Sequence, residues 1–123
     1  MSAWKNRPFA ARLRCALRGF AHALGSEQNL KIQLLAFAAA IAALLLLRPG
    51  ALWWALVLAS SAAVLACELL NTAIERLADA LHPQDSPAIG TVKDCAAAAV
   101  LVACLGALGV AAALLAHLYG AVA

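Results

Sequence analysis

The sequence predicts an all-α integral membrane protein in which three transmembrane helices follow an amphipathic helix on the membrane surface. Of its 123 residues, 66% are hydrophobic and 12% are charged, whereas soluble proteins are roughly half apolar and a quarter charged. Most of the apolar residues fall into long blocks, and six of the basic residues precede or open the first block. These observations indicate a single domain whose main solvent is lipid.

Residues 7–24 are expected to form the surface helix. Its apolar residues recur at helical spacing within a stripe of about 80°. Arg14 and Arg18 project from other faces, where they would meet anionic lipid head groups. Gly25 and Ser26 end the pattern, and Ser26 is expected to cap the next helix. The apolar stripe consists of Phe9, Leu13, Leu17, Phe20 and Leu24.

Three apolar blocks follow and predict the membrane spans. The first covers about 30–47 and ends at the turn sequence RPG. The second covers about 51–81, with Trp53 and Trp54 as interfacial anchors near its start. The third covers about 93–118 and follows the polar loop HPQDSPAIGT. The first block is short by the standard of about 20 residues for a helix that crosses a bilayer.

The basic residues predict the orientation of the chain in a bacterial cytoplasmic (inner) membrane. They are frequent before the first span and occur in the second loop as Arg76 and Lys93, whereas the first loop has only Arg48. Because loops rich in Lys and Arg remain in the cytosol, we expect a cytoplasmic N-terminus and second loop, with the C-terminal Ala123 outside. The acidic residues then all lie at or near the cytoplasmic ends of the spans: Glu27, Glu68, Glu75, Asp79, Asp85 and Asp94.

The segment CELLNTAIERLAD at the end of the second span carries a narrow polar stripe. With Glu68 at zero on a helical wheel, Asn71 lies at about −60°, Glu75 at about −20° and Asp79 at about +20°. Glu68 is about 26 Å from Ala51 along the helix axis, just inside one boundary of a hydrocarbon core about 30 Å thick. Because it lies among leucines, its ionisable group indicates a functional site rather than simple solvation.

The other residues of the stripe also have purely structural interpretations. Asp79 is consistent with a solvated helix end, and Glu75 with a surface ion pair to Arg76 or Arg18. Asn71 is consistent with a hydrogen bond between helices, which is a common role for Asn in membranes.

The residue types of the stripe favour phosphoryl transfer from cytosolic ATP to a membrane-bound alcohol. Carboxylates bind Mg²⁺ together with phosphate oxygens, and a carboxylate at head-group depth can accept a proton from a lipid hydroxyl. Lys93 opens the third span, where its ammonium group can meet phosphate as a point charge. The sequence contains no GxxxxGK(S/T), GxGxxG, HRD or DFG element, so it predicts neither a P-loop nor a protein-kinase fold.

Three segments resemble the prokaryotic diacylglycerol kinase family: ELLNTAIERLAD, the following VKDCAAAAVLV, and SEQNLKIQ before the first span. The resemblance extends from about Arg12 to Tyr119. It implies a small membrane kinase with three spans, an N-terminal surface helix and a fold unlike that of other kinases. It also implies Mg²⁺ and ATP as metal and co-substrate, and a homotrimer whose active sites are shared between protomers.

The resemblance also implies roles for individual residues by matching position. Glu68 would be the catalytic base toward the lipid hydroxyl, supported by Asn71. Glu27 and Glu75 would bind the metal and bring it to ATP. The implied nucleotide contacts are Lys93, Asp94, Gln84, Asp85 and Ser86, and the implied lipid contacts are Lys31 and Ala97. An early arginine, Arg7 or Arg12, would contact either the nucleotide or the lipid. Asp79 would be a structural or nucleotide-side polar residue.

The family has two branches, which act on diacylglycerol or on undecaprenol, and the residues here do not separate them. Leu30 and Lys31 replace an aromatic residue and an Arg that often follow the N-terminal Glu in the family. EQNLKIQ, NTAIE and KDCAAAAVLV resemble the undecaprenol branch at least as closely as the other. Diacylglycerol is the favoured substrate, and undecaprenol is the alternative.

Other classes of protein fit the sequence less well. The main alternative is a non-catalytic small membrane protein, such as a transporter subunit or a scaffold. A transport site requires polar residues near the bilayer midplane, but the middles of the spans are almost purely Ala, Leu and Val. The long apolar blocks also argue against nucleic acid as a partner, and the scattered cysteines indicate neither a zinc site nor a disulfide framework.

Overall fold

A computed structural model describes residues 5–120 of the chain and contains four main helices. They are α1 (Phe9–Ser26), α2 (Gln28–Leu47), α3 (Ala51–Leu81) and α4 (Pro87–Leu118). Within residues 5–120 there is no strand, so the predicted all-α class is confirmed. The expected position of Ala123 outside the membrane falls outside the described residues.

The helical backbone is interrupted between α1 and α2 at the single residue Glu27. Its backbone is extended, with φ −105° and ψ 111°, and its N–H donates to the Ala23 carbonyl at 2.8 Å. Ser26 is still helical, and its hydroxyl donates back to the His22 carbonyl at 3.3 Å. The expectation that Ser26 caps the second helix is therefore wrong, because Glu27 occupies the N-cap position of α2 without a side-chain cap.

The RPG turn separates α2 from α3. Arg48 ends α2 in the left-handed conformation, with φ 50° and ψ 51°, and its N–H donates to the Leu44 carbonyl at 3.0 Å. A left-handed residue after the last turn is a common way to satisfy carbonyl groups that a helix end leaves free. Gly50 then occupies the N-cap position of α3.

The last helix begins at Pro87, earlier than the start expected near residue 93. Ser86 caps it, since its side-chain oxygen accepts a hydrogen bond from the Ile89 N–H at 3.3 Å. Proline fits the first turn of a helix because the missing N–H would have no helical partner there. Lys93 consequently lies inside α4 rather than at its start.

The middle helix α3 organises the packing. Its most extensive contact is with α4, and it also packs against α2. The surface helix α1 contacts both α2 and α3. In residues 5–120, no Cα atom of α2 lies within 8 Å of a Cα atom of α4. The buried apolar cluster that joins the helices contains Leu44, Val57 and Leu114, and beside it the rings of Trp53 and His117 lie 5.3 Å apart.

The three helices α2, α3 and α4 are each long and apolar enough to cross a membrane. In the most apolar window of each helix, at most 17% is buried inside the chain, so most of the apolar surface faces outward. In water such a surface would be strongly unfavourable. The architecture is therefore that of a membrane protein, and the predicted apolar helices are confirmed.

Candidate functional site

The polar stripe on α3 includes two of the most buried side chains of the described chain. Glu68 is 2% exposed and Thr72 is 5% exposed, although one is ionisable and the other polar. They lie one helical turn apart on the same face of α3. Burying a charged group without partners is strongly unfavourable. The Glu68 carboxylate therefore requires a polar partner from a neighbouring residue.

Glu68 is held by an amide from the neighbouring helix. Gln33 of α2 donates a hydrogen bond from Nε2 to Glu68 Oε2 at 3.1 Å. The other polar atom of this amide, Gln33 Oε1, is buried and has no partner in the described chain. We did not predict Gln33 as a site residue. The available signal was its position as the last polar residue before the apolar block that begins at Leu34.

Asn71 and Glu75 are brought together one turn further along α3. The Asn71 amide donates from Nδ2 to Glu75 Oε1 at 3.3 Å. Asn71 Oδ1 is buried, and it accepts no hydrogen bond from any described residue. The hydrogen bond of Asn71 therefore lies within α3, and the amide keeps a buried oxygen without a partner.

Arg76 connects α3 to the turn between α1 and α2. Its guanidinium NH2 lies 3.4 Å from Glu27 Oε1 and also donates to the Ser26 hydroxyl. Both charged side chains are partly exposed, at 40% for Arg76 and 28% for Glu27. Among the described residues, Glu75 forms an ion pair with neither Arg76 nor Arg18, so its structural interpretation as a surface ion pair is wrong.

Lys93 and Asp79 form an ion pair between α4 and α3. Lys93 Nζ lies 2.6 Å from Asp79 Oδ1, and their side chains are 33% and 65% exposed. Asp79 is thus at an exposed helix end, as its structural interpretation expected, but it also has a cationic partner. The pair brings together two residues that were considered separately from the sequence.

The remaining candidate residues are exposed, except for the half-buried Ser86. In the loop after α3, the Gln84 carbonyl lies 2.7 Å from His82 Nδ1, and Ser86 caps α4. Arg7 NH1 contacts the Cys15 sulfur at 3.6 Å. The exposed candidates are Arg12, Lys31, Gln84, Asp85, Asp94 and Ala97.

Two cavities lie between the helices, and neither is lined by Glu68, Asn71, Glu75 or Asp79. The first, about 520 Å³, is an apolar cleft between α2, α3 and α4, with Gln33 at one end and Leu115 toward the other. The second, about 590 Å³, lies between α1 and α3 and is lined by Phe20, Thr72 and Arg76 among others. Each cavity therefore combines apolar walls with a polar residue from the neighbourhood of the stripe.

Comparison with known proteins places this arrangement in a family. The model of the family described as prokaryotic diacylglycerol kinase matches residues 14–115. The chain belongs to the prokaryotic diacylglycerol kinase family. This confirms the resemblance drawn from ELLNTAIERLAD, VKDCAAAAVLV and SEQNLKIQ.

A curated protein named diacylglycerol kinase is similar over most of the chain. The diacylglycerol kinase of Synechocystis sp. is 34% identical over 108 residues. The aligned region covers 86% of this chain and 62% of that relative. The chain therefore spans less than two-thirds of the length of the relative that it matches.

Membership of a kinase family implies a divalent metal that acts together with ATP. In residues 5–120, no three His, Cys, Asp or Glu side chains are grouped so that they could hold a metal. However, Mg²⁺ typically takes one or two carboxylates and completes its coordination with water and phosphate oxygens. Glu75 with the unpartnered Asn71 Oδ1 supplies oxygen atoms of that type. The residues present therefore fit a metal that arrives with a nucleotide.

Proposed function

We propose that the protein is an ATP-dependent lipid kinase that phosphorylates diacylglycerol to phosphatidic acid. The observation that carries this proposal is the buried carboxylate of Glu68, which is held by Gln33 and followed on α3 by Asn71 and Glu75. Membership of the prokaryotic diacylglycerol kinase family and the name of the Synechocystis relative support the same reaction.

In this proposal Glu68 is the general base. Its Oε2 atom is bound to Gln33, so Oε1 is the oxygen available to a lipid hydroxyl. Removing the hydroxyl proton generates the oxygen nucleophile that attacks the γ-phosphorus of ATP, and ADP leaves. A base in this role must be within hydrogen-bond reach of the proton that it accepts, which the position of Glu68 near the membrane boundary permits.

Glu27 and Glu75 are the proposed metal ligands, with Mg²⁺ as the metal and Asn71 in support. When bound, the metal would neutralise phosphate charge as the phosphoryl group moves. Glu27 is paired with Arg76 and Glu75 with Asn71, so both carboxylates have partners that a metal and nucleotide would replace or reorient.

The nucleotide is proposed to lie against the beginning of α4 and the loop before it. Lys93 supplies a positive charge for phosphate oxygens, and it would leave Asp79 to do so. The lipid contacts proposed are Lys31 and Ala97, and the early arginine is Arg12 or Arg7. The other proposed nucleotide contacts are Asp94, Gln84, Asp85 and Ser86.

The assembly and orientation are also part of the proposal. The outward-facing apolar surface of α2, α3 and α4 is compatible with a homotrimer that shares its sites between protomers. The proposed location is the bacterial cytoplasmic (inner) membrane, with the N-terminus and the loop before α4 in the cytosol. ATP would then reach the polar end of α3 from the compartment where it is made.

Undecaprenol is the alternative lipid, because three segments of the chain resemble that branch of the family at least as closely. The test is to supply the purified full chain in detergent with Mg²⁺-ATP and either diacylglycerol or undecaprenol. Faster transfer to diacylglycerol is expected. Faster transfer to undecaprenol would reassign the substrate, and transfer to neither lipid would support the alternative of a non-catalytic membrane protein.

A further inference from the structure

We propose that Gln33 is a positioning residue for the Glu68 carboxylate, an inference that rests on the proposed kinase function. The two side chains come from different helices, α2 and α3, and they are joined by the 3.1 Å hydrogen bond from Gln33 Nε2 to Glu68 Oε2. Gln33 thus acts through Glu68 and touches neither the phosphate nor the reacting hydroxyl.

The chemistry of the two groups determines the direction of this contact. An ionised carboxylate accepts hydrogen bonds and cannot donate them, whereas an amide offers N–H donors on one side and a carbonyl on the other. Only the amino side of Gln33 can therefore face Glu68 favourably. With the donor side of the amide facing Glu68, the carboxylate keeps acceptor capacity for the proton that a general base takes up.

The surroundings of Glu68 make this amide its principal fixed partner. Glu68 is 2% exposed, so water has little access to orient its carboxylate. Asn71 is engaged with Glu75, Arg76 is engaged with Glu27, and the buried Thr72 hydroxyl makes no hydrogen bond within residues 5–120, so none of these three side chains holds the Glu68 carboxylate. With Oε2 held by Gln33, the carboxylate is fixed in rotation and Oε1 has a defined direction.

Gln33 also borders the apolar cleft described above. Gln33 lines one end of the apolar cleft of about 520 Å³ between α2, α3 and α4. Its hydrogen bond ties α2 to α3 at that end, where α2 has no backbone contact with α4. A change in the separation of α2 and α3 would therefore turn the Glu68 carboxylate, so the geometry of the base depends on both helices.

The test compares two substitutions of Gln33 with a matched control. Gln33→Met keeps a similar volume but removes the donor, and Gln33→Asn keeps an amide but shortens its reach by one methylene. Ser60→Ala is the control, because Ser60 lines the same cleft and its hydroxyl bonds to the Val57 carbonyl of its own helix. All are assayed as the full chain in detergent with Mg²⁺-ATP and the lipid that the wild type phosphorylates.

Both Gln33 variants are expected to lower kcat by about tenfold or more, since loss of a charge-assisted bond misplaces the base. The KM values for ATP and lipid should change by less than about twofold, because Gln33 touches neither ligand in this account. Ser60→Ala should retain wild-type kcat. If Gln33→Met does not fold, Gln33→Asn alone provides the same comparison.

Repeating the Gln33→Met substitution in the Glu68→Asp variant distinguishes an effect of Gln33 on the Glu68 carboxylate from a general effect on the packing of α2 and α3. In Glu68→Asp the carboxylate is one methylene further from Gln33, so adding Gln33→Met should change its residual kcat by less than about twofold. A tenfold loss in both backgrounds would contradict action through Glu68. Wild-type kcat in both single Gln33 variants would overturn this inference alone, whereas an inactive wild-type protein would overturn the proposed function as well.

Discussion

Lys93 Nζ lies 2.6 Å from Asp79 Oδ1, and this ion pair joins the end of α3 to the first turns of α4. The two residues are 14 positions apart in the sequence and become neighbours because the loop before Pro87 reverses the chain. The pair positions a cation next to the end of the polar stripe. In the proposed function the Lys93 ammonium group leaves the Asp79 carboxylate and binds a phosphate oxygen when ATP binds.

Lys93 should therefore contribute more to nucleotide binding than Asp79 does. We expect Lys93→Met to raise the KM for Mg²⁺-ATP by about tenfold or more, as expected for loss of a charge-assisted contact with phosphate. Asp79→Asn removes the resting partner of Lys93 and should change that KM by less than about threefold, because exposed ion pairs are weak. Steady-state kinetics at saturating lipid measures both. Equal effects of the two variants would contradict the exchange.

Glu75 should govern the metal requirement of the reaction. Glu75→Gln retains an oxygen that can accept the Asn71 hydrogen bond, but it removes the negative charge. We expect the Mg²⁺ concentration for half-maximal activity to rise by about tenfold, because Mg²⁺ prefers carboxylate oxygens. The KM for lipid is the internal control and should stay near its wild-type value. An unchanged Mg²⁺ titration would remove Glu75 as a ligand.

Arg76 should compete with the metal for Glu27. Its guanidinium lies 3.4 Å from Glu27 Oε1, so it neutralises that carboxylate in the structure described. Arg76→Gln is expected to lower the Mg²⁺ concentration for half-maximal activity by about threefold. The effect is small because a partly exposed ion pair contributes little free energy. Arg18→Gln makes the same charge change on the exposed surface of α1 and should leave the titration unchanged. The opposite shift in Arg76→Gln would show that Arg76 helps to hold the site together.

The fold class was predictable because it depends on features that are local in the sequence. Long apolar blocks bounded by RPG and HPQDSP can satisfy their backbone groups in a membrane by forming helices. The start of the last helix was placed too late because the prolines and polar residues of HPQDSPAIGT predict a loop. The cap at Ser86 and the proline after it allow the helix to begin within that polar segment.

The candidate site was predictable along one helix but not between helices. Helical spacing placed Asn71 and Glu75 on one face of α3, and the structure joins them by a hydrogen bond. The partners of Glu68 and Glu27 depend on how α2 packs and on the extended turn at Glu27, which the sequence pattern does not encode locally. A single amide before an apolar block carries no signal that names its partner, so Gln33 was missed.

The central claim is that Glu68 is the base of a lipid kinase, and the most direct measurement is the kcat of Glu68→Gln. The reference is the wild-type chain in the same detergent with Mg²⁺-ATP and diacylglycerol. Because Gln is nearly isosteric but cannot accept the proton, we expect kcat to fall by about 10²-fold or more. The thermal unfolding transition and the KM for ATP should remain close to the wild-type values. Wild-type kcat in Glu68→Gln would contradict the assignment of Glu68 as the base.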